Sequence, residues 1–145
     1  MLFIMSNEDD RIVQANKVYT DVENYERQLL DKGIAFTKLK HHSLLSPERW
    51  MTTKTSDSLM RVRQRPIMPV VIDKTIIKAG GTDKAVIIGA PKDTAYSITG
   101  AGSIIASGTL PDGEIEISIP CVLTYDVMFM KWPWQECHFK IEAIA

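Results

Sequence analysis

Apolar residues open the chain as one short block and then change their period twice. Leu2 to Met5 reads as an apolar strand, Ser6 to Asp10 as a polar turn, and Arg11 to Ala15, with Ile12 and Val13, as the returning arm of a hairpin. From residue 20 the period becomes helical. Val22, Tyr25, Leu29 and Leu30 fall at i, i+3, i+7 and i+8, which places them on one face of a helix over about 21–32. Thr20 and Glu23 have the spacing of a capping box, and Asp21 and Glu23 suit the positive end of the helix dipole. Gly33 follows the last turn and can take positive φ without strain, as a terminator must. Beyond it, Ile34 to Leu39 alternates as a strand. Ser46-Pro47-Glu48 has the form of a helix start, and Met51 to Thr53 with Leu59 to Gln64 can pair as a late hairpin around Lys54 to Ser58.

The remainder alternates with a period of two. Seven strands are expected: Lys74 to Lys78, Ala85 to Gly89, Ala95 to Thr99, Ser103 to Ser107, Glu114 to Ile119, Thr124 to Met130 and Cys137 to Ala143. Gly80-Gly81, Pro91-Lys92-Asp93, Gly100-Ala101-Gly102 and Pro111-Asp112-Gly113 are turn material between them. Ile115, Ile117 and Ile119 face one side, opposite Glu114, Glu116 and Ser118. Cys137, Phe139, Ile141 and Ala143 share a face opposite His138, Lys140 and Glu142. A half-buried antiparallel sheet needs this alternation. The rhythm of short strands suits an immunoglobulin-like sandwich, and Tyr125 stands where such folds carry a tyrosine corner.

Pro66 and Pro69 bias their neighbours toward extended backbone and read as a stiff connector. The expected organisation is therefore a small α/β module over 1–65 (hairpin, one helix, further strands), a Pro-containing linker over 66–72, and an immunoglobulin-like β-sandwich over 73–145. The fold class is an α+β N-terminal module followed by an all-β sandwich. Of the 145 residues, 45% are hydrophobic and 24% charged, which excludes a wholly disordered chain. The net charge of -1 gives no reason to expect nucleic acid as a partner. It divides unevenly, +2 over 1–65 and -3 over 66–145. The Met1–Met5 block is far shorter than the roughly 20 apolar residues of a membrane span. It also lacks the basic flank of a signal peptide, so no membrane insertion is expected and folding in a cytoplasm is. Cys121 and Cys137 fit that compartment as free thiols, with a disulfide between them as the alternative.

Little in the sequence points to catalysis. His41-His42 is the most tempting metal pair, but adjacent side chains on extended backbone point apart, and no tight His/Cys ligand spacing occurs. Cys137 and His138 fall on opposite faces of one strand, so they do not form a nucleophile–base pair. No phosphate loop or nucleophile elbow is present. No enzyme activity, metal or cofactor is expected. Candidate contact residues remain. Arg61, Arg63 and Arg65 alternate on a strand, as a solvated face, as a basic face for an acidic protein partner, or as a nucleic-acid contact, which would want more basic residues and interleaved aromatics. Trp132, Pro133 and Trp134 lie in the loop between the last two strands. Tryptophan in such a loop either makes a binding hot spot or folds back to close the end of the sandwich or to pack on the first module.

Three stretches carry a resemblance. They are the opening strand and acidic turn with Arg11-Ile12-Val13; Leu45-Ser46-Pro47-Glu48-Arg49-Trp50 with Arg65-Pro66-Ile67-Met68-Pro69-Val70; and Thr124-Tyr125-Asp126-Val127 leading to Lys131-Trp132-Pro133-Trp134. In this order they resemble small accessory and structural proteins of the tail region of tailed bacteriophages and prophages. The resemblance implies a non-enzymatic, tail-associated virion protein, made in the host bacterial cytoplasm. It would link or decorate other virion proteins in a symmetric assembly, for instance attaching a fibre or receptor-binding protein. The alternatives are a host-surface or carbohydrate-binding module using Trp132 and Trp134, and a cytoplasmic tail or fibre assembly chaperone.

Overall fold

The computed structural model describes residues 1–40, 46–54 and 60–145. They form two compact units, Met1–Arg65 and Pro66–Ala145. Among the described residues no helix is long and apolar enough to cross a membrane.

In the first unit, β1 (Leu2–Ser6) is the central strand of a three-stranded antiparallel sheet, between β2 (Ile12–Lys17) and β3 (Thr37–Leu39). Its unbroken apolar run is explained by burial on both faces. Leu2 and Ile4 meet Ile12, Leu39, Trp50 and Val62 on one side. Phe3 and Met5 meet Leu29, Val22, Tyr25 and Phe36 on the other. Phe3 sits edge-on to Tyr25 with ring centres 4.9 Å apart, and the Asn16 side-chain amide donates to the Tyr25 hydroxyl at 2.6 Å. A second, two-stranded sheet pairs β4 (Trp50–Lys54) with β5 (Met60–Gln64).

The helix α1 spans Val22–Asp31 and ends as expected, with Gly33 at φ 66° and its N–H donating to Leu30 O. Its start differs. Asp21 enters the helix in the left-handed region (φ 51°, ψ 44°) and no side chain caps the first turn, so the Thr20–Glu23 capping box is not formed. The Asp21 carboxylate instead accepts from the Asn24 amide at 3.1 Å.

The expected fold class is corrected here. The chain is mostly β, about half in strands, with one short helix and several small sheets, and it has no clear α+β N-terminal module. The reason is topological. α1 covers one face of a small antiparallel sheet, while the other face is met by residues of a β-hairpin, so strands dominate this unit as well.

The second unit builds one core from two sheets. The chain enters it through Pro66 to Val70, where Met68 is buried in the core, and reaches β6 (Val71–Ile72). The wider sheet has the order β10-β9-β12-β13-β7, made of β7 (Ile76–Lys78), β9 (Thr94–Gly100), β10 (Ser103–Leu110), β12 (Thr124–Met130) and β13 (Cys137–Ile144). The narrower sheet has the order β11-β8-β6, with β8 (Lys84–Ile88) and β11 (Ile115–Ser118). All neighbours are antiparallel except β7 and β13, which run parallel. Val127, Phe129 and Ile141 from the wide sheet and Ala85 and Ile87 from the narrow one are fully buried in the same core. This is a sandwich-like, mostly β arrangement. Tyr125 is buried, and its ring lies where a Cβ on Gly100 of the neighbouring strand would be, only 2.7 Å away. That strand position has room for no side chain.

Candidate functional site

The Trp132–Trp134 loop is held at its base on both sides. β12 and β13 pair directly from Thr124–Glu142 to Phe129–Cys137, so the loop leaves a rigid ladder. Gln135 N–H donates to Pro66 O at 2.8 Å, and the Lys131 ammonium donates to Asp93 O at 3.3 Å. These bonds tie the loop to the point where the chain enters the second unit and to the connection before β9. The Trp132-Pro133 peptide bond is cis. Every residue from Lys131 to Gln135 is half-buried, and Trp134 packs against the core. At least one indole therefore helps close this end of the sandwich. The face left to solvent is partial.

The three arginines are placed on different duties. Arg61 and Arg63 lie on β5, opposite Thr53 and Met51 of β4, and both are exposed. Residue 62, between them, faces the first-unit core. Arg65 stands just past the strand and is half-buried. Its guanidinium donates to Pro47 O at 3.1 Å and Glu48 O at 2.9 Å, and its backbone N–H donates to Arg49 O at 2.7 Å. It fastens the turn over residues 46–49 to the end of the hairpin.

A further arginine joins the first two. Arg11 forms an isolated bridge with Met51, and Thr52 N–H donates to Asp10 O at 3.0 Å. Arg11, Met51 and Arg63 thus form a row of cross-strand neighbours on one face, with Arg61 one step along. Met51, in the middle of the row, is 4% exposed, whereas Arg11 and Arg63 are exposed. No local spacing announces Arg11, because it reaches the row through a bridge to a residue 40 positions away.

The thiols are separated. Cys121 is exposed and Cys137 is partly buried, both as free cysteines. Cys137 lies on the core side of β13 with Phe139, and desolvation pushes its thiol pKa up, away from the reactive thiolate. His138 is exposed on the opposite face, 3.6 Å from the Glu136 carboxylate. Among the described residues no three His, Cys, Asp or Glu side chains gather as a metal site. His41 and His42 lie outside the described residues. No protein-family model matches this chain, and no curated protein or solved structure does.

Proposed function

We propose that this chain is a non-enzymatic, tail-associated structural protein of a tailed bacteriophage particle, linking or decorating other virion proteins through protein–protein contacts. The observation that carries the reading is the arginine row, Arg11 and Arg63 flanking the buried Met51, with Arg61 beside it. Arginine presents a planar fork of donors matched to carboxylates, and backbone pairing with β4 fixes where Arg11, Arg61 and Arg63 stand relative to one another. An acidic surface on a neighbouring virion protein is the partner such a row fits.

The second unit supports a scaffold role. Its N-terminal strand is split between the sheets, β6 on the narrow one and β7 beside β13 on the wide one. Together with the order β11-β8-β6 against β10-β9-β12-β13, this supports an immunoglobulin-like reading. A carbohydrate platform at Trp132 and Trp134 draws less support, because stacking on a sugar needs an open indole face and both residues are half-buried.

Mass spectrometry of particles purified from a lysate of the phage or prophage that encodes this chain tests the proposal. The chain is expected at a stoichiometric ratio to tail proteins. Arg61→Glu with Arg63→Glu should fold normally and be lost from the particles. A chain abundant in the lysate and absent from particles would replace this reading with the assembly chaperone.

A further inference from the structure

A sheet edge offers unpaired N–H and C=O groups to any other strand, and proteins usually blunt such edges. The second unit has four edges, and three are blunted. β6 is two residues long and follows Pro69 closely. β7 is three residues long and ends in Lys78, with Lys74 just before it. β11 is four residues long and carries Glu116, paired with Lys84 and preceded by Glu114.

The fourth edge, β10, is different. It runs eight residues, Ser-Ile-Ile-Ala-Ser-Gly-Thr-Leu, with no charge and no proline. Ser103 to Thr109 are all exposed, including Ile104 at 68% and Ile105 at 55%. A bulge between Ile104 and Ala106 interrupts the ladder, and from Ala106 to Leu110 the strand pairs regularly with β9. The regular part is the templating segment. From Ala106 to Thr109 its side chains are small, and the Tyr96 ring covers Gly108 from the neighbouring strand, 3.1 Å from where a Cβ would stand.

We propose that β10 is an interface for a second copy of this chain. Two β10 strands would pair antiparallel about a two-fold axis and join two five-stranded sheets into one. Charge selects this occupant. A strand from a partner chosen by charge would be met by complementary ionised side chains, and β10 has none in a chain that is 24% charged. A copy of itself brings no like-charge pair in any register, unlike β11, where Glu116 would approach its own copy. An isologous pair also consumes both open edges at once, which closes the assembly as a dimer rather than a filament. With the axis at Ser107, Ala106 of one copy lies opposite Gly108 of the second copy, within the regular part of the strand, and the exposed isoleucines flank that pairing beyond the bulge.

Sedimentation velocity on the full-length chain from about 1 to about 100 µM tests this independently of any particle. The wild type is expected to be dimeric in the upper part of that range. Ser107→Lys sets two ammonium groups against each other across the axis and should weaken the dimer at least about tenfold. Its circular dichroism should stay unchanged, and its melting should match that of the wild type at concentrations where both are monomeric, because position 107 is exposed. Ser118→Lys on β11 should leave the dimer intact. The backbone amides among 106–109 that point away from β9, every second one, should gain protection from hydrogen exchange as wild-type concentration rises, a readout that needs no variant. A wild type that is monomeric throughout, a Ser107→Lys chain that is as dimeric as wild type, or amides at 106–109 indifferent to concentration would overturn the proposal.

Discussion

Gly113 is the position where one added methyl group should cost the second unit most. It sits at φ 74°, in the left-handed region, in the turn that joins β10 to β11. A residue with a Cβ pays about 1–2 kcal/mol for that conformation alone. The larger effect is steric. A Cβ there would stand 1.9 Å from Ala90 O and 2.9 Å from Ala90 C, both backbone atoms. Carbon and oxygen tolerate about 3.3 Å, so the two segments must part by more than about 1 Å. They are held by the Ala90 N–H donating to Gly113 O at 3.1 Å, and both residues are buried. Parting them leaves a buried donor and acceptor unpaired, at about 1–3 kcal/mol. Gly113→Ala should therefore lose about 2–5 kcal/mol, about 1–3 kcal/mol more than the matched control. That control is Gly102→Ala, at φ 78° with nothing within 4 Å, which pays only the conformational cost. Gly89→Ala, at φ 85° with Pro69 O at 2.4 Å from the Cβ position, should fall between them. Urea unfolding followed by tryptophan fluorescence measures the series. A Trp50→Phe background leaves Trp132 and Trp134 as reporters of the second unit. If Gly113→Ala and Gly102→Ala lie within about 0.5 kcal/mol of each other, the steric argument is refuted.

Four further outcomes are expected. Phe129 is fully buried, with its ring centre 6.2 Å from that of Phe139, so Phe129→Ala should cost about 3–5 kcal/mol in the same unfolding assay; a loss below about 1 kcal/mol would contradict its place in the core. The Thr37 hydroxyl is the one buried side-chain polar atom without a partner among the described residues, and Thr37→Val should be neutral or stabilise by up to about 1 kcal/mol by thermal melting. A thiol reagent at neutral pH should modify exposed Cys121 faster than half-buried Cys137, as timed peptide mapping would read, because burial raises the Cys137 pKa. Hydrogen bonds from the Lys74 ammonium and the Lys78 N–H hold the Asp83 carboxyl below its usual range. The stabilisation is therefore present above the unfolded carboxyl pKa and fades as pH falls through the folded value. Asp83→Asn should melt lower than wild type at pH 7, with the gap closing toward about pH 2.

What the sequence makes legible is whatever a single element decides for itself. The helical face of Val22, Tyr25 and Leu29 and its end at Gly33 depend on local period and on one backbone conformation, and both are seen, whereas Leu30, expected on the same face, is exposed. The inward face of β13 is equally local: Cys137 and Phe139 pack on the core and Ile141 and Ala143 are buried in it. The helix start is not legible, because Asp21 turns the chain through the left-handed region before the Thr20 side chain can serve as a cap. Nor is the full length of β10, whose Ser, Ala and Gly positions carry no alternation to mark a strand. The fold class failed for a non-local reason. One strong helical signal suggests an α+β module, while the same unit places more residues in short antiparallel strands than in its helix, and the pairings of β1 with β3 and of Arg11 with Met51 join positions far apart in sequence. The candidate site divides in the same way. Arg61 and Arg63 share a face because a strand alternates, but Arg65 falls past the strand end and binds carbonyls, and Arg11 enters the row only through tertiary pairing. Tryptophan composition alone does not separate a contact loop from a plug, since both uses want the same large apolar ring.

The width of the two sheets in the second unit explains which isoleucines are buried. Strands lie about 4.8 Å apart, so five span about 19 Å between outermost axes and three span about 10 Å. The wide sheet must therefore overhang the narrow one by about two strand spacings. At the β7 side Ile77 is 1% exposed, so the narrow sheet and its connections reach that far. The overhang falls at β10, where only Leu110 is buried. Ile117 of β11 and Ile104 of β10 have the same side chain and opposite environments, 4% and 68% exposed, because one strand faces the wide sheet and the other extends past it. Core packing therefore gives little reason for apolar residues at 104 and 105. A strand that adds so little to the interior of its own unit, yet stays long and uncharged, is better explained by what it meets outside it.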